Sequence, residues 1–451
     1  MTRLALLVLT CILLAVPSAV LADIAPPVNP PGSNLEPGSE STQVRMAAET
    51  VLIDVKSNDS LGSARITADF TMRNLGSKDE GMTVRFPITA NDGFGNYPEI
   101  GELAIKVNGK RISYQRADYP DIRYQDQDVP WAEFNVTFPA GQDVPIQVAY
   151  NLNGSGYMPF TAFYYILETG AGWKDTIGSA DIILRLPYPA SPQNVIMNLQ
   201  IGWAETPGSG VIAGSEVRWH FDDFEPGSAG TVQNMEFALV APVNWQNVLK
   251  ERDNTAKNPN DSEGWGRLAK AYKEIFLMSR GYRTDPGGAE LYQLSIEAYE
   301  KCLALNPDDA QWRAGFADLL ANRAYWDSFT NGPTADAYRA LAEIHTALQL
   351  APRDAKVLGI AQNISYLFPD GVIQNENGYD FLWLTQTPAP IIDPTIEPTG
   401  APLTAESTAT AAAPQPIPVE PQPVLPQPKP SLPICGSAAL IGVFWLALKR
   451  K

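Results

Sequence analysis

The sequence predicts a multidomain protein: an all-β sandwich region, then an all-α region of helical hairpins, a disordered Pro-rich stalk and a C-terminal transmembrane helix. Three observations predict it. Apolar residues recur with a period of two from Val44 to Val240, and the period becomes helical after Pro242. Three similar corners then follow: Asn258-Pro259-Asn260-Asp261, Asn306-Pro307-Asp308-Asp309 and Ala351-Pro352-Arg353-Asp354. Finally, 388–433 holds 14 of the 39 prolines. At 451 residues the chain is also too long for one ordinary core.

Composition narrows the function classes. A net charge of −17 leaves no excess of Lys and Arg to neutralise phosphates, which excludes a nucleic-acid partner. Three cysteines, Cys11, Cys302 and Cys435, are too dispersed for a disulfide framework, so packed cores hold the fold. Cys302 reads as a small buried core thiol.

Taken in order, 1–22 reads as a secretory signal peptide, with Arg3, an apolar stretch over 4–15 and Val20-Leu21-Ala22 before the cleavage point. Residues 23–40 are Pro/Gly/Ser-rich and read as disordered. From 41 to 243 the strand-like runs are 51–55, 64–72, 82–87, 103–107, 111–114, 131–138, 144–150, 162–167, 180–186, 195–201, 216–221 and 235–240. Asn108-Gly109 between two of them is a hairpin signal, because Asn and Gly accept positive φ. This region forms one large or two sandwiches, with an internal boundary at 151–158.

The run Tyr165-Ile166-Leu167-Glu168-Thr169-Gly170-Ala171-Gly172-Trp173, with Arg73-Asn74-Leu75-Gly76 and Phe86-Pro87, resembles the exported bacterial β-sandwich families of the DUF4424 type. The resemblance covers 40–240 and implies an exported β domain without implying an activity. Two readings of the run stand side by side. Gly170 and Gly172 permit a bend while Trp173 covers the core, or Glu168 and Trp173 line a small ligand surface.

After a lead helix at 245–256, the helix 262–278 places Trp265, Leu268, Ala269 and Tyr272 at offsets of three, four and seven. In 291–305, Ser295, Tyr299 and Cys302 lead to Pro307. The next hairpin pairs 312–325 with 335–350, where Ala340, Ile344 and Ala347 precede Pro352. A final, solvating helix spans 355–367. These positions resemble the tetratricopeptide (TPR) repeat, and the resemblance implies a TPR-like α-helical domain over 244–370 that binds a protein or peptide. The corner prolines lie 48 and then 45 residues apart, against about 34 for a regular repeat. The surplus falls in 279–288 and 328–334, which read as enlarged inner loops.

The 46-residue segment 388–433 reaches on the order of 140 Å as extended polyproline II. Beyond it, 434–448 is apolar and Lys449-Arg450-Lys451 follows, the pattern of a single-pass anchor with the bulk extracytoplasmic. Leu432-Pro433-Ile434-Cys435-Gly436 also resembles bacterial C-terminal sorting signals of the LPxTG kind, with Cys435 where that motif has Thr. The resemblance implies C-terminal processing at Cys435 and a cell-surface bacterial protein.

Little chemistry is visible. His220 and His345 are the two histidines, too few for a zinc site, and no phosphate-binding loop or nucleophile elbow accompanies them. Asp121, Asp126 and Asp128 do not have the spacing of a Ca²⁺ loop. Tyr119, Tyr124, Trp131 and the aromatics of 157–165 fill a core or form a sugar-stacking face. The resulting expectation is a protein that is not an enzyme and has no metal or cofactor: a non-catalytic cell-envelope scaffold with a protein or peptide partner. A cell-wall glycan-binding β-sandwich is the second reading, and a carboxylate-based hydrolase the third.

Overall fold

A computed structural model describes residues 36–38, 41–89, 99–120, 128–167, 170, 172–201, 204–226, 234–280, 285–331, 333–376 and 378–385. These residues form a β-rich N-terminal region followed by a helical region. The first strands are β1 (Glu36–Pro37), β2 (Val44–Lys56), β3 (Ser63–Asn74), β4 (Glu80–Pro87), β5 (Gly101–Val107), β6 (Lys110–Ile112), β7 (Gln115–Pro120), β8 (Asp128–Phe138) and β9 (Asp143–Asn153). Then come β10 (Ser155–Tyr157), β11 (Phe160–Ile166), β12 (Ile177–Arg185), β13 (Leu199–Ile201), β14 (Ala204–Thr206), β15 (Val211–Ala213), β16 (Glu216–Phe224) and β17 (Asn234–Val240).

Among the described residues, the strands of this region build three sheets. The largest has the order β15-β16-β12-β2-β3-β9-β5-β6, and the others are β1-β4-β8-β7 and β10-β11-β17-β14-β13. Alternation decides which side is core. In β3, Ala64, Ile66, Ala68, Phe70 and Met72 are buried while Arg65, Asp69 and Arg73 point outward. Each large apolar side chain so buried contributes about 1.5–3 kcal/mol, more than its share of ladder hydrogen bonds. The four-stranded sheet covers one part of the eight-stranded sheet, with the Phe86 and Tyr150 rings 5.5 Å apart. The five-stranded sheet covers another, with Trp219 and Phe237 at 5.6 Å. Asn108 and Gly109 both take positive φ between β5 and β6, as their dipeptide signal requires. Strands from both sides of 151–158 share the eight-stranded sheet, because β12 runs parallel to β2 while β9 pairs β3. That segment is where the chain leaves β9 for the five-stranded sheet.

The helices are α1 (Pro242–Lys257), α2 (Ser262–Ile275), α3 (Pro286–Leu305), α4 (Ala310–Asn331), α5 (Ala335–Leu350) and α6 (Ala355–Leu367). The π-turn Phe276–Arg280 continues α2. Local chemistry sets their starts. Asp285 accepts from Gly288 N ahead of Pro286, Thr334 accepts from Ala337 N, and Asp354 accepts from Lys356 N and Val357 N. The surplus repeat length therefore goes largely into helix. α3 begins at Pro286 rather than 291, and α4 runs to Asn331 rather than 325. α5 and α6 have the bounds that periodicity predicts.

α6 is not a purely solvating helix, since Val357, Ala361 and Ile364 are buried. A C-terminal hairpin, β18 (Val372–Asn375) and β19 (Gly378–Phe381), with the short α7 (Leu382–Thr385), closes this end. Phe381 packs on His345 at 4.8 Å, and Trp383 packs on Phe368 at 5.5 Å. At the other end α1 joins the β region. Trp245 meets Tyr188, and Arg252 donates to both Tyr272 Oη (2.6 Å) and Gln193 Oε1 (3.3 Å).

Candidate functional site

The hairpins α2/α3 and α4/α5, followed by α6, set the first helix of each unit beside the next. Trp312 Nε1 on α4 donates to Glu263 Oε2 on α2 at 2.9 Å. Lys273 Nζ donates to Asp318 Oδ2 at 2.9 Å and to Gly315 O at 3.3 Å. Toward α6, Gln311 Nε2 donates to Asp354 Oδ2 at 2.8 Å, and Lys356 Nζ donates to Gln311 Oε1.

Three large apolar side chains of this region stay exposed. Met278 and Trp326 each lie 19 residues after their corner proline and are 52% and 49% exposed. Tyr366, 14 residues after Pro352, is 72% exposed, at the position that Lys273 takes in α2. On α4, four residues before Trp326, Asn322 Nδ2 donates to Asp318 Oδ1 and to Asp318 O, so the ion pair and the amide are fixed together. The helical region thus offers both a fixed polar cluster and exposed apolar side chains. The cluster suits a peptide backbone, and the rings suit apolar anchors.

The repeat-signature residues are the packing set of these helices. Leu268, Ala269, Tyr272, Tyr299, Cys302, Ala340, Ile344 and Ala347 are buried. Tyr299 stacks on Phe316 with centroids 5.3 Å apart, and Ser295 Oγ donates to Ala269 O. Burial pushes the Cys302 thiol up to about 12. Trp265 is half-buried and donates to Pro259 O, while Pro307 and Pro352 sit at exposed corners. Sequence reasoning found these residues and missed Met278, Trp326 and Tyr366. Met278 and Trp326 share an offset from their corner prolines, a signal that Tyr366 lacks.

Trp173 does not line a surface. It is 5% exposed and packs edge-on against Phe138 at 6.0 Å, so of the two readings the core reading holds for it. Glu168 and Cys435 lie outside the described residues, as do Asp121, Tyr124, Asp126 and the predicted anchor and stalk. Among the described residues no helix is long and apolar enough to cross a membrane. Trp131 is buried, and the Tyr119 hydroxyl donates to Glu133 beneath the Arg85 guanidinium, so neither ring is a free stacking platform.

His220 and His345 are on separate elements. His220 Nδ1 is 2.7 Å from Asp181 Oδ1, with Asp222 at its other nitrogen, and His345 pairs with Gln349. Among the described residues no group of His, Cys, Asp or Glu is placed to hold a metal ion. The two fully buried carboxyls of the β region, Glu49 and Glu236, are held from opposite faces of one sheet and do not face each other.

No family model and no curated protein matches the sequence. Solved structures match weakly. A candidate nutrient-binding protein from Legionella pneumophila is 19% identical with a TM-score of 0.37, covering 61% of this chain and 98% of its own. An M1 zinc metallopeptidase from Deinococcus radiodurans is 8% identical with a TM-score of 0.23, covering 72% and 94%. Native yeast LTA4 hydrolase is 7% identical with a TM-score of 0.25, covering 70% and 53%. Because the folds matched include those of enzymes, the expectation that the chain is not an enzyme is withdrawn. Likeness at these TM-scores carries no activity, metal or substrate to this chain.

Proposed function

We propose that this is an exported, membrane-anchored cell-envelope protein whose TPR-like helical region binds another protein or a peptide. In this reading the sandwich-like β region is the platform under α1, and the Pro-rich segment is the spacer to the membrane. The observation that supports it is the exposure of three large apolar side chains on these helices, Met278 and Trp326 at one offset from their corner prolines and Tyr366 on α6. Trp and Tyr are among the residues that most often carry binding energy. The Lys273–Asp318–Asn322 cluster is already hydrogen-bonded, so a partner would meet a preorganised surface.

Site-specific photocrosslinking in intact membranes tests it. A benzophenone side chain placed at position 366 in the full chain should capture a defined protein band. The same probe at position 211, exposed on the β region, should not. Equal labelling from both positions, or capture of glycan without protein, would overturn the reading.

A further inference from the structure

Tyr164 and Tyr165 are consecutive on β11, so their side chains leave opposite faces of the five-stranded sheet. Tyr165 turns to the core between the sheets and donates to Glu49 Oε1 at 2.5 Å. Tyr164 turns the other way and donates to Glu236 Oε1 at 3.2 Å. Glu236 is its register partner on β17, in the middle of the sheet, and is fully buried. The second oxygen of Glu236, Oε2, has no hydrogen-bond partner.

The surroundings give no counter-charge. Phe160, Ile196, Leu199 and Ala238 form a small apolar cluster on this face. Across β11 the titratable group facing Glu236 is the Tyr164 phenol, itself raised by burial. On the other side β14 brings Ala204 and Thr206, while Glu205 pairs with Met235 and shares the opposite face. Among the described residues no Lys, Arg or His pairs with Glu236. A carboxylate in this setting would keep one donor and a bare oxygen in apolar surroundings, which disfavours the charged form.

The same stretch of β17 is clamped from its open side. Thr206 Oγ1 donates to Glu236 O at 2.6 Å and accepts from Ala238 N at 3.2 Å. Ile196 N donates to Ala238 O, and Val240 N donates to Asn194 O. We propose that Glu236 is a proton-binding site, neutral while this clamp is closed, whose ionisation loosens β14 and the Asn194–Ile196 bonds from β17. A merely structural buried acid would leave the clamp unchanged over the pH range of its own titration.

Hydrogen exchange on the full chain tests this between about pH 5.5 and 8.5, with rates corrected for intrinsic pH dependence. The Ile196, Ala238 and Val240 amides should lose at least about tenfold protection relative to the β3 amides as pH rises. Glu236→Gln should abolish that pH dependence. Tyr164→Phe removes a bond that favours the charged form, so it should move the midpoint to higher pH. Constant protection in the wild type, an unchanged pH profile in Glu236→Gln, or an unmoved midpoint in Tyr164→Phe would each overturn the proposal. If Glu236→Gln does not fold, the wild-type profile and the Tyr164→Phe shift still decide it.

Discussion

Lys273 Nζ lies 2.9 Å from Asp318 Oδ2, and this bond ties the first helices of two successive hairpins together. The side chains are 12% and 19% exposed, well below the exposure of an ordinary surface pair. Removing one partner strands the other in a half-dry site. Asp318→Ala should therefore cost about 2–3 kcal/mol in urea denaturation. The double variant Lys273→Met/Asp318→Ala should recover part of that, with a coupling of about 1–2 kcal/mol. Additive losses would show that the pair contributes nothing beyond its separate contacts.

Gly266 gives α2 room for the Trp312 ring. A Cβ at 266 would lie 2.3 Å from Trp312 Cε2, and the flat indole cannot give way without leaving Glu263. Gly266→Ala gains helix propensity by about 1 kcal/mol, yet the overlap should win. The expected net is a loss of about 1–2 kcal/mol and a lower Tm by calorimetry. Gly266→Ala with Trp312→Leu should restore most of it.

Much of this helical packing was legible in the sequence, because Leu268, Ala269, Tyr272, Tyr299 and Cys302 recur at helical spacing beside a corner proline. The helix starts were less legible. Asp285 and Pro286 form an N-cap and first-turn signal, but Gly287 and Gly288 behind them read as loop. The hairpin at 372–381 was missed altogether. Strands of four residues are too short to show a period. The exposed rings were missed for a different reason. Periodicity reports what is buried, and Trp326 and Tyr366 look like core residues until a structure leaves them in water. The same limit applies to Glu236, which in sequence is one acidic residue in a strand.

Cys302 should be chemically silent in the folded chain. It is fully buried, and burial holds its thiol near 12, so almost no thiolate forms at neutral pH. Peptide mapping after iodoacetamide treatment should find it unmodified in native protein and modified in urea. Native labelling at a rate comparable with an unfolded control would mean that α3 opens readily from α2.

His220 should titrate above the ordinary imidazole value, first because Asp181 accepts a hydrogen bond from it and then because Asp222 lies nearby. Its folded pKa exceeds its unfolded one. Its stabilising contribution is therefore complete below about pH 6.5 and is lost as pH rises through the folded value. The chain has two histidines, so NMR assignment needs one variant. Asp181→Asn should lower the His220 midpoint. A His220 midpoint unmoved by Asp181→Asn would assign the shift to Asp222 instead.

The proposed partner-binding role makes the sharpest demand. Tyr366 is largely exposed and Trp326 half-exposed, so removing them should change stability by no more than about 0.5 kcal/mol for Tyr366 and about 1 kcal/mol for Trp326. An anchor ring in an interface instead loses on the order of 2 kcal/mol of binding, about thirtyfold in Kd. Trp326→Ala and Tyr366→Ala should thus each weaken partner capture by far more than they lower stability. Arg111→Ala, at an exposed position on the β region, should do neither. If the ring variants retain full capture, the partner uses another surface. If they lose stability in proportion to binding, the rings are structural and not partner contacts.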